Sequence, residues 1–467
     1  MKSDRTRARI GLLPTGHHYY WEQYPRLKSM GLGMYGKLRE LLDPLGEIIA
    51  PELVDTPQKA AEAGEMFRRA EVDLLLIFPF GYTPSMDMLP AVQGLEVPIR
   101  LLNAHEDSAY DYAAADTTDY LHHEGVCCIP EFAGALTSQG RRFAVRTGPF
   151  DDERLQQELQ SDFAGAGAAR SFRCLNVGLI GQVYPGMTDM PIDEHRLLRV
   201  TGRMLARPEV EEFEEAYLRV TEDQLEEMYT ELRRVYAVDA TVTNEHMRFS
   251  AQLAVAYDEV IRRHEIDAFG YYWWGEKALI TQLRAQSGLA VSRLAAQGCP
   301  GVTEGDVKTA LAMKLLDLLG AGGMFVEFFA MDFEENSFLM GHDGPANIGM
   351  ADGQPRLMHL DTHHGKSGHG LGIDFDLKEG PTTLLNLTQF DAGDTFKLIY
   401  TVGEIVDGPI LNIGNPNARV KVARPLHEVM EDWCQEGPSH HIAMGYGDQS
   451  QALETFAEAM GFDIVRI

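Results

Sequence analysis

The feature that most constrains this chain is a repeated alternation of short apolar runs with helical stretches. Residues 9–14 (RIGLLP), 47–51, 72–80 (VDLLLIFPF) and 97–103 read as strands, with helical patterns over residues 26–42 and 58–69. Strands that alternate with helices make a parallel sheet covered on both faces. The pattern restarts at residues 175–181 (LNVGLIG), crosses a Pro/Gly/Met loop (184–191) and helical regions over 209–236 and 243–265, and returns to a strand at 266–274 (IDAFGYYWW). The Gly/Ala stretch 163–169 (FAGAGAA) between the two blocks reads as a linker. Residues 306–319 form a clean helix with Val307, Ala310, Leu311, Leu315 and Leu318 on one stripe, and Thr303–Asp306 (TEGD) has the Thr-x-x-Asp signature of a capped start.

Beyond Gly320 the texture changes. Short β-rich pieces (324–329, 383–387, 395–402, 419–422) are split by Gly, Pro, Asn and Asp turns, and the tail reads as a helix (451–460) and a final strand (463–467). The expected fold class is therefore α/β. Two doubly wound parallel-sheet domains (1–170 and 171–319) precede a mostly β, barrel-like C-terminal domain (320–467). At 467 residues the chain has the length of about three domains.

Charge narrows the function classes. Lys+Arg number 41 and Asp+Glu 70, a net charge of −29. An acidic protein is repelled by nucleic-acid backbones and by anionic membrane surfaces, so neither is the expected partner. No run of about 18 apolar residues exists to span a bilayer, and the N-terminus has no signal-peptide core. The five cysteines are scattered, with no C-x-x-C pair, which fits a reduced cytoplasm.

Four places concentrate ligand-type side chains. Glu304 stands at the start of the capped helix, where an acid also stabilises the helix dipole. Glu327 lies inside the apolar run MFVEFF, where a buried carboxylate is costly unless paired or metal-bound, though on a strand it is equally able to face solvent. His342 sits in the turn GHDGP. His440 and His441 are adjacent in EGPSHHIA and point to different sides of an extended segment, so at most one of them is a ligand. Two Glu and two His offer oxygen and imidazole donors suited to an octahedral Mn²⁺, Mg²⁺ or Co²⁺ with positions left for substrate oxygens. His17 and His18 follow the first strand, at the edge of a parallel sheet where α/β folds bind ligands. The His/Gly stretch 362–372 (THHGKSGHGLG) reads as a solvated turn or a substrate loop.

Residues 287–311 (SGLAVSRLAAQGCPGVTEGDVKTAL) resemble the stretch around the first metal-binding glutamate of L-arabinose isomerases. Residues 325–342 (FVEFFAMDFEENSFLMGH) are similar to the segment bearing that family's second glutamate and first histidine. Residues 383–408, with the core FDAGDTFKLIYTVGEIVDG, resemble its barrel strands, and 434–442 (CQEGPSHHI) its terminal Gly-x-x-His-His motif. The resemblance implies an aldose–ketose isomerase, an intramolecular oxidoreductase acting on a pentose or related sugar through a cis-enediol. It implies Glu304, Glu327, His342 and His441 as metal ligands, with Glu304 and Glu327 also the catalytic candidates, and a homo-oligomer (trimer or hexamer). The family carries a Gly-Ser-Gln-His piece whose Gln contacts sugar. Here Thr15–His18 reads TGHH, so His17, His18 and His440 are the substrate-binding candidates. Alternatives are an enzyme on a different sugar, as in fucose isomerases, or a non-catalytic sugar-binding protein.

Overall fold

The structure is a computed structural model that describes residues 7–274, 278–360, 370–389 and 393–467. The chain divides into two compact units, Met1–Ser171 with Gln451–Gly461, and Phe172–Ser450 with Phe462–Ile467.

The first unit is built on five parallel strands, β1 (Arg9–Thr15), β2 (Glu47–Ile49), β3 (Leu74–Pro79), β4 (Ile99–His105) and β5 (Ala144–Pro149), in the order β2-β1-β3-β4-β5. Successive side chains on a strand point to opposite faces, and both faces here are apolar. Ile10, Leu12, Leu74 and Leu76 pack against Leu38 and Leu42 of helix Pro25–Leu42 and against Leu155 and Leu159 of helix Glu153–Phe172. Leu13, Leu75 and Ile77 pack on the other side, against Phe67 of helix Pro57–Ala70 and Phe132 of helix Gly125–Ser138. The strand order turns back between β1 and β3, which opens a crevice beyond their carboxyl ends.

The expected linker at 163–169 is instead the interior of the helix Glu153–Phe172. Alanine is the best helix former, and small residues let backbones approach. A Cβ on Gly165 would stand 2.4 Å from the Ala452 carbonyl oxygen, so only glycine admits this contact. The same helix carries Asp162, fully buried, whose carboxylate accepts from Arg100 Nε (2.8 Å), Arg146 Nε (2.7 Å) and Thr455 Oγ1 (2.9 Å). Burial alone would push this carboxyl up, but the two guanidiniums outweigh it and hold it below the usual carboxylate range. Its stabilisation is therefore full above the unfolded carboxylate value, about 4, and is lost as pH falls through the lower folded value. Asp162→Ala is expected to cost about 3–5 kcal/mol in denaturant unfolding, because two buried guanidiniums lose their partner. It should also flatten the decline of stability below about pH 4; an unchanged acid limb would assign that decline to other carboxylates.

The second unit contains β6 (Val177–Gly181), β7 (Ala237–Val238), β8 (Ala268–Tyr272), β9 (Gly301–Val302), β10 (Met324–Asp332), β11 (Ser337–Gly341), β12 (Ala351–Leu360), β13 (Gly370–Leu377), β14 (Gly380–Thr388), β15 (Lys397–Val406), β16 (Asn417–Val422), β17 (Ile442–Tyr446) and β18 (Asp463–Arg466). Its parallel sheet is small, β6-β8-β9. The single helical region expected over 209–236 is two helices, Val210–Arg219 and Glu222–Val235. The second starts with a capping box in which Thr221 and Gln224 satisfy each other's backbone N–H.

Six antiparallel strands close into a barrel in the order β14-β17-β10-β11-β16-β15, with β15 pairing back onto β14. Closure leaves no free edge within the ring. β18 adds in parallel to β15, and β12 and β13 form a separate antiparallel pair flanked by β7. Most of the His/Gly stretch 362–372 lies outside the described residues.

The helix Val307–Leu318 packs against β8 of the parallel sheet and against β10, β14 and β17 of the barrel. It therefore differs from its expected one-sided stripe. Every residue from Val307 to Leu316 is buried, Lys308 and Lys314 included. Its start also differs, since Asp306 is the N-cap and Thr303–Gly305 form a short 3₁₀ turn before it. All five cysteines are free. No helix among the described residues is long and apolar enough to cross a membrane.

Candidate metal centre

Strand register brings three ligand-type side chains together. Val326 of β10 pairs with Ile442 of β17, which sets the next residue, Glu327, beside His441. Glu327 pairs with Gly341 at the end of β11, and His342 follows directly. A bulge between Phe328 and Ala330 interrupts the β10–β11 ladder just beyond, a device that re-aims side chains near functional sites. The fourth side chain arrives from the turn before the buried helix. Glu304 holds φ 65°, ψ 3°, a left-handed conformation that costs a non-glycine residue about 1–3 kcal/mol. Packing enforces it. Tyr184 N–H donates to the Glu304 carbonyl at 2.8 Å, and a Cβ on Gly305 would lie 2.4 Å from the Gln182 oxygen.

One donor atom each from Glu304, His342 and His441 lies within 4.8 Å of the others, and the same holds for Glu327, His440 and His441. The two triads share His441, so all four expected ligands gather around this fully buried imidazole. Its Nδ1 bonds Asp306 Oδ2 at 3.0 Å. Its Nε2 has no hydrogen-bond partner among the described residues and stands 3.5 Å from Glu304 Oε2. That separation is long for a hydrogen bond and close to the spacing of two neighbouring ligands on one divalent ion. The His342 Nδ1–H donates to the Asp343 carbonyl at 2.7 Å, which leaves its Nε2 with the lone pair. Phe325 packs on both rings, its centroid 4.0 Å from His342 and 4.5 Å from His441. An orphaned buried imidazole nitrogen facing a carboxylate, with tautomers set by bonds on the far side of each ring, fits a divalent cation.

The surrounding residues fix these donors. Asp306 Oδ1 accepts the backbone N–H groups of Lys308 and Thr309, and Oδ2 accepts the Thr309 hydroxyl at 2.8 Å. Burial would push the Asp306 carboxyl up, but the His441 hydrogen bond and the nearby Lys308 charge hold it below the usual range. Burial pulls the Lys308 ammonium down in spite of Asp306 and Asp189, and its Nζ donates to the Asp189 carbonyl.

His440 is exposed. Its backbone N–H and its Nδ1 both meet Asp189 Oδ2, at 2.9 and 2.6 Å. Glu327, half-buried rather than solvated, lines a pocket of about 360 Å³ with Asp189, His440, Phe328, Met430 and Trp433. His17 and His18 belong to the first unit, where they follow β1 and meet Asp87. Sequence reasoning missed two residues. Asp306 was legible as part of a helix start but not as the partner of His441. Asp189, in the Pro/Gly/Met loop, gave no sign of its role.

Two profiles of one family match consecutive parts of the chain, the L-arabinose isomerase central domain over residues 201–322 and the L-arabinose isomerase C-terminal domain over 322–463. Among similar proteins, a sulfoquinovose isomerase of Alkalicoccus urumqiensis is 25% identical over 342 residues, covering 71% of this chain and 74% of its own length. The L-arabinose isomerase of Bacillus subtilis (strain 168) is 21% identical over 86% of this chain and 83% of its own. That of Geobacillus thermodenitrificans is 31% identical over 38% of this chain and 37% of its own. The chain is a divergent member of the L-arabinose isomerase family of isomerases.

Proposed function

We propose that this protein is a metal-dependent aldose–ketose isomerase acting on a pentose or related sugar, with Glu304, Glu327, His342 and His441 as the ligands of one divalent cation. The observation that carries the reading is that these four side chains, scattered along the sequence, fall into two donor triads that share His441, whose buried Nε2 has no hydrogen-bond partner among the described residues. Mixed carboxylate and imidazole donors suit Mn²⁺, with Mg²⁺ or Co²⁺ as substitutes. Bound there, the ion supplies Lewis-acid polarisation of the sugar carbonyl, worth several kcal/mol.

The chain's own residues do the rest. Interconversion removes a proton from C2 of the open-chain aldose and returns one to C1 through a cis-enediol, while a second proton passes between the oxygens. One carboxylate within hydrogen-bond reach of the carbon-bound proton serves as the base, a role worth about 10²–10⁴-fold. The other handles the hydroxyl proton. Glu304 and Glu327 are assigned these two tasks. His440, held by Asp189, presents its ring at the mouth of the Glu327 pocket as a sugar contact.

That pocket has two carboxylates and no Lys or Arg among its described lining residues, a surface suited to sugar hydroxyls. A sulfonated hexose is the second reading, favoured by the relatives named sulfoquinovose isomerase; its anionic group would need a cation from outside this lining. The family resemblance also supports a cytoplasmic homo-oligomer, trimer or hexamer, with three domains at 1–170, 171–319 and 320–467.

The test is ketose formation from a panel of pentoses, 6-deoxyhexoses and sulfoquinovose, with the protein stripped of metal and reloaded with Mn²⁺. Turnover of one class that needs the added ion is expected. No turnover on the whole panel by a protein that retains no metal would leave a non-catalytic sugar-binding protein instead.

A further inference from the structure

We propose that the first unit carries its own divalent-cation site, formed by His17, His18 and Asp87. The ion would be a borderline one such as Zn²⁺, with a fourth position open to water or another oxygen ligand. The inference is independent of the isomerase reading, since all three residues belong to the Met1–Ser171 unit.

Topology assembles the site. His17 and His18 leave the carboxyl end of β1, and Asp87 ends the 3₁₀ turn Ser85–Asp87 that follows β3. The two strands are neighbours, so the three residues meet in the crevice where the strand order reverses. Adjacent histidines on an extended chain diverge, but here the backbone turns, with Tyr20 N–H donating to the His17 carbonyl and Trp21 N–H to that of His18. Both imidazoles and the Asp87 carboxylate then offer donor atoms within 4.8 Å of one another.

The hydrogen bonds around the site match those of metal-binding histidines. His18 Nδ1 lies 3.0 Å from the Asp55 carbonyl, which only accepts, so Nδ1 bears the proton and Nε2 the lone pair. Asp55 is itself buried and anchored by Trp21 Nε1–H at 2.9 Å and Lys59 Nζ at 2.6 Å, which fixes the ring from behind. His17 Nδ1 is buried without a hydrogen-bond partner among the described residues. It faces Asp87 Oδ2 at 3.5 Å, long for a hydrogen bond and near the spacing of two ligands on one tetrahedral ion. Asp87 is 4% exposed. Tyr19, Tyr20 and Tyr82 pack edge-on around the His17 ring, at centroid distances of 5.2, 5.2 and 6.1 Å. These rings flank the site, and the low-dielectric surroundings of the buried Asp87 strengthen the pull of its carboxylate on a cation. Two imidazoles and one carboxylate form a softer set than the barrel's two carboxylates and two imidazoles, which favours Zn²⁺ or Co²⁺.

The test uses the full chain, stripped of metal and dialysed against Zn²⁺, with metal content counted per chain. The wild type is expected to hold two equivalents. His17→Gln and Asp87→Asn should each hold one, and the double variant Glu304→Gln/His441→Ala should also hold one. Loading with Co²⁺ gives a second readout, because a tetrahedral site produces strong visible absorption. The bands should persist in Glu304→Gln/His441→Ala and vanish in Asp87→Asn. Equal metal content in wild type and Asp87→Asn overturns the proposal, as do cobalt bands indifferent to Asp87. Asp87→Asn conserves volume, so it decides the matter if His17→Gln folds poorly. A wild type holding one equivalent that Asp87→Asn removes and Glu304→Gln/His441→Ala does not would uphold this site and refute the barrel one.

Discussion

Glu304→Gln is expected to lower turnover by about 10²–10⁴-fold at saturating metal while the far-UV spectrum and unfolding midpoint stay close to wild type. Glutamine keeps the volume and removes only the charge and the basicity. Glu304 is one-fifth exposed at its side chain, so the exchange buries no new polar group. Its strained backbone is imposed by Tyr184 and by the close approach of Gly305 to Gln182, none of which depends on the carboxylate. Glu327→Gln should fall by a similar factor. Exchange of the C2 hydrogen with solvent separates the two tasks. The variant that loses exchange together with turnover has lost the carbon base, and the one that retains exchange has lost the oxygen-proton carrier. Undiminished kcat in either variant withdraws its role.

The second large effect is expected from a residue that touches no substrate. Asp306→Asn should weaken metal affinity by about 10–100-fold, the usual cost of losing the carboxylate behind a metal-bound histidine. Asp306 also caps the helix Val307–Leu318, and asparagine caps as well as aspartate. The stability change should therefore be small beside the affinity change. Calorimetric metal titration alongside thermal unfolding measures both. A large loss of stability with unchanged affinity would make Asp306 a cap alone. His441→Ala removes the ligand itself and sets the upper bound for the affinity loss.

Much of this architecture was legible because burial writes directly into the sequence. The continuous apolar runs at residues 9–14 and 72–80 became β1 and β3 of a sheet covered on both faces, and the turn-rich texture after Gly320 became the closed barrel. The errors have physical causes. FAGAGAA looked like a linker because Gly and Ala suit flexible chain, yet the same small residues suit a helix pressed against a neighbour, as Gly165 is against Ala452. The Val307–Leu318 helix showed one apolar stripe, but it lies between a sheet and a barrel, and its lysines are buried by tertiary packing that periodicity does not encode. Glu304, Glu327, His342 and His441 stood out as ligand types, whereas their meeting depends on the registers of β10, β11 and β17. Asp189 was invisible because its partnership with His440 spans a loop without periodicity.

The helix Ser450–Met460 has a consequence for how the chain is made. It supplies Thr455 and Glu458 to the buried Arg100–Asp162 cluster, and Ala452 to the small-residue face at Gly165. A ribosome emits the early strands long before this late segment, so order of synthesis and order of packing disagree. Until that segment is made, the nascent amino-terminal sheet waits with Arg100 and Asp162 lacking part of their shell. That interval is when a holding chaperone has most to shield, and a protease cut just after residue 450 would loosen the opposite end of the polypeptide.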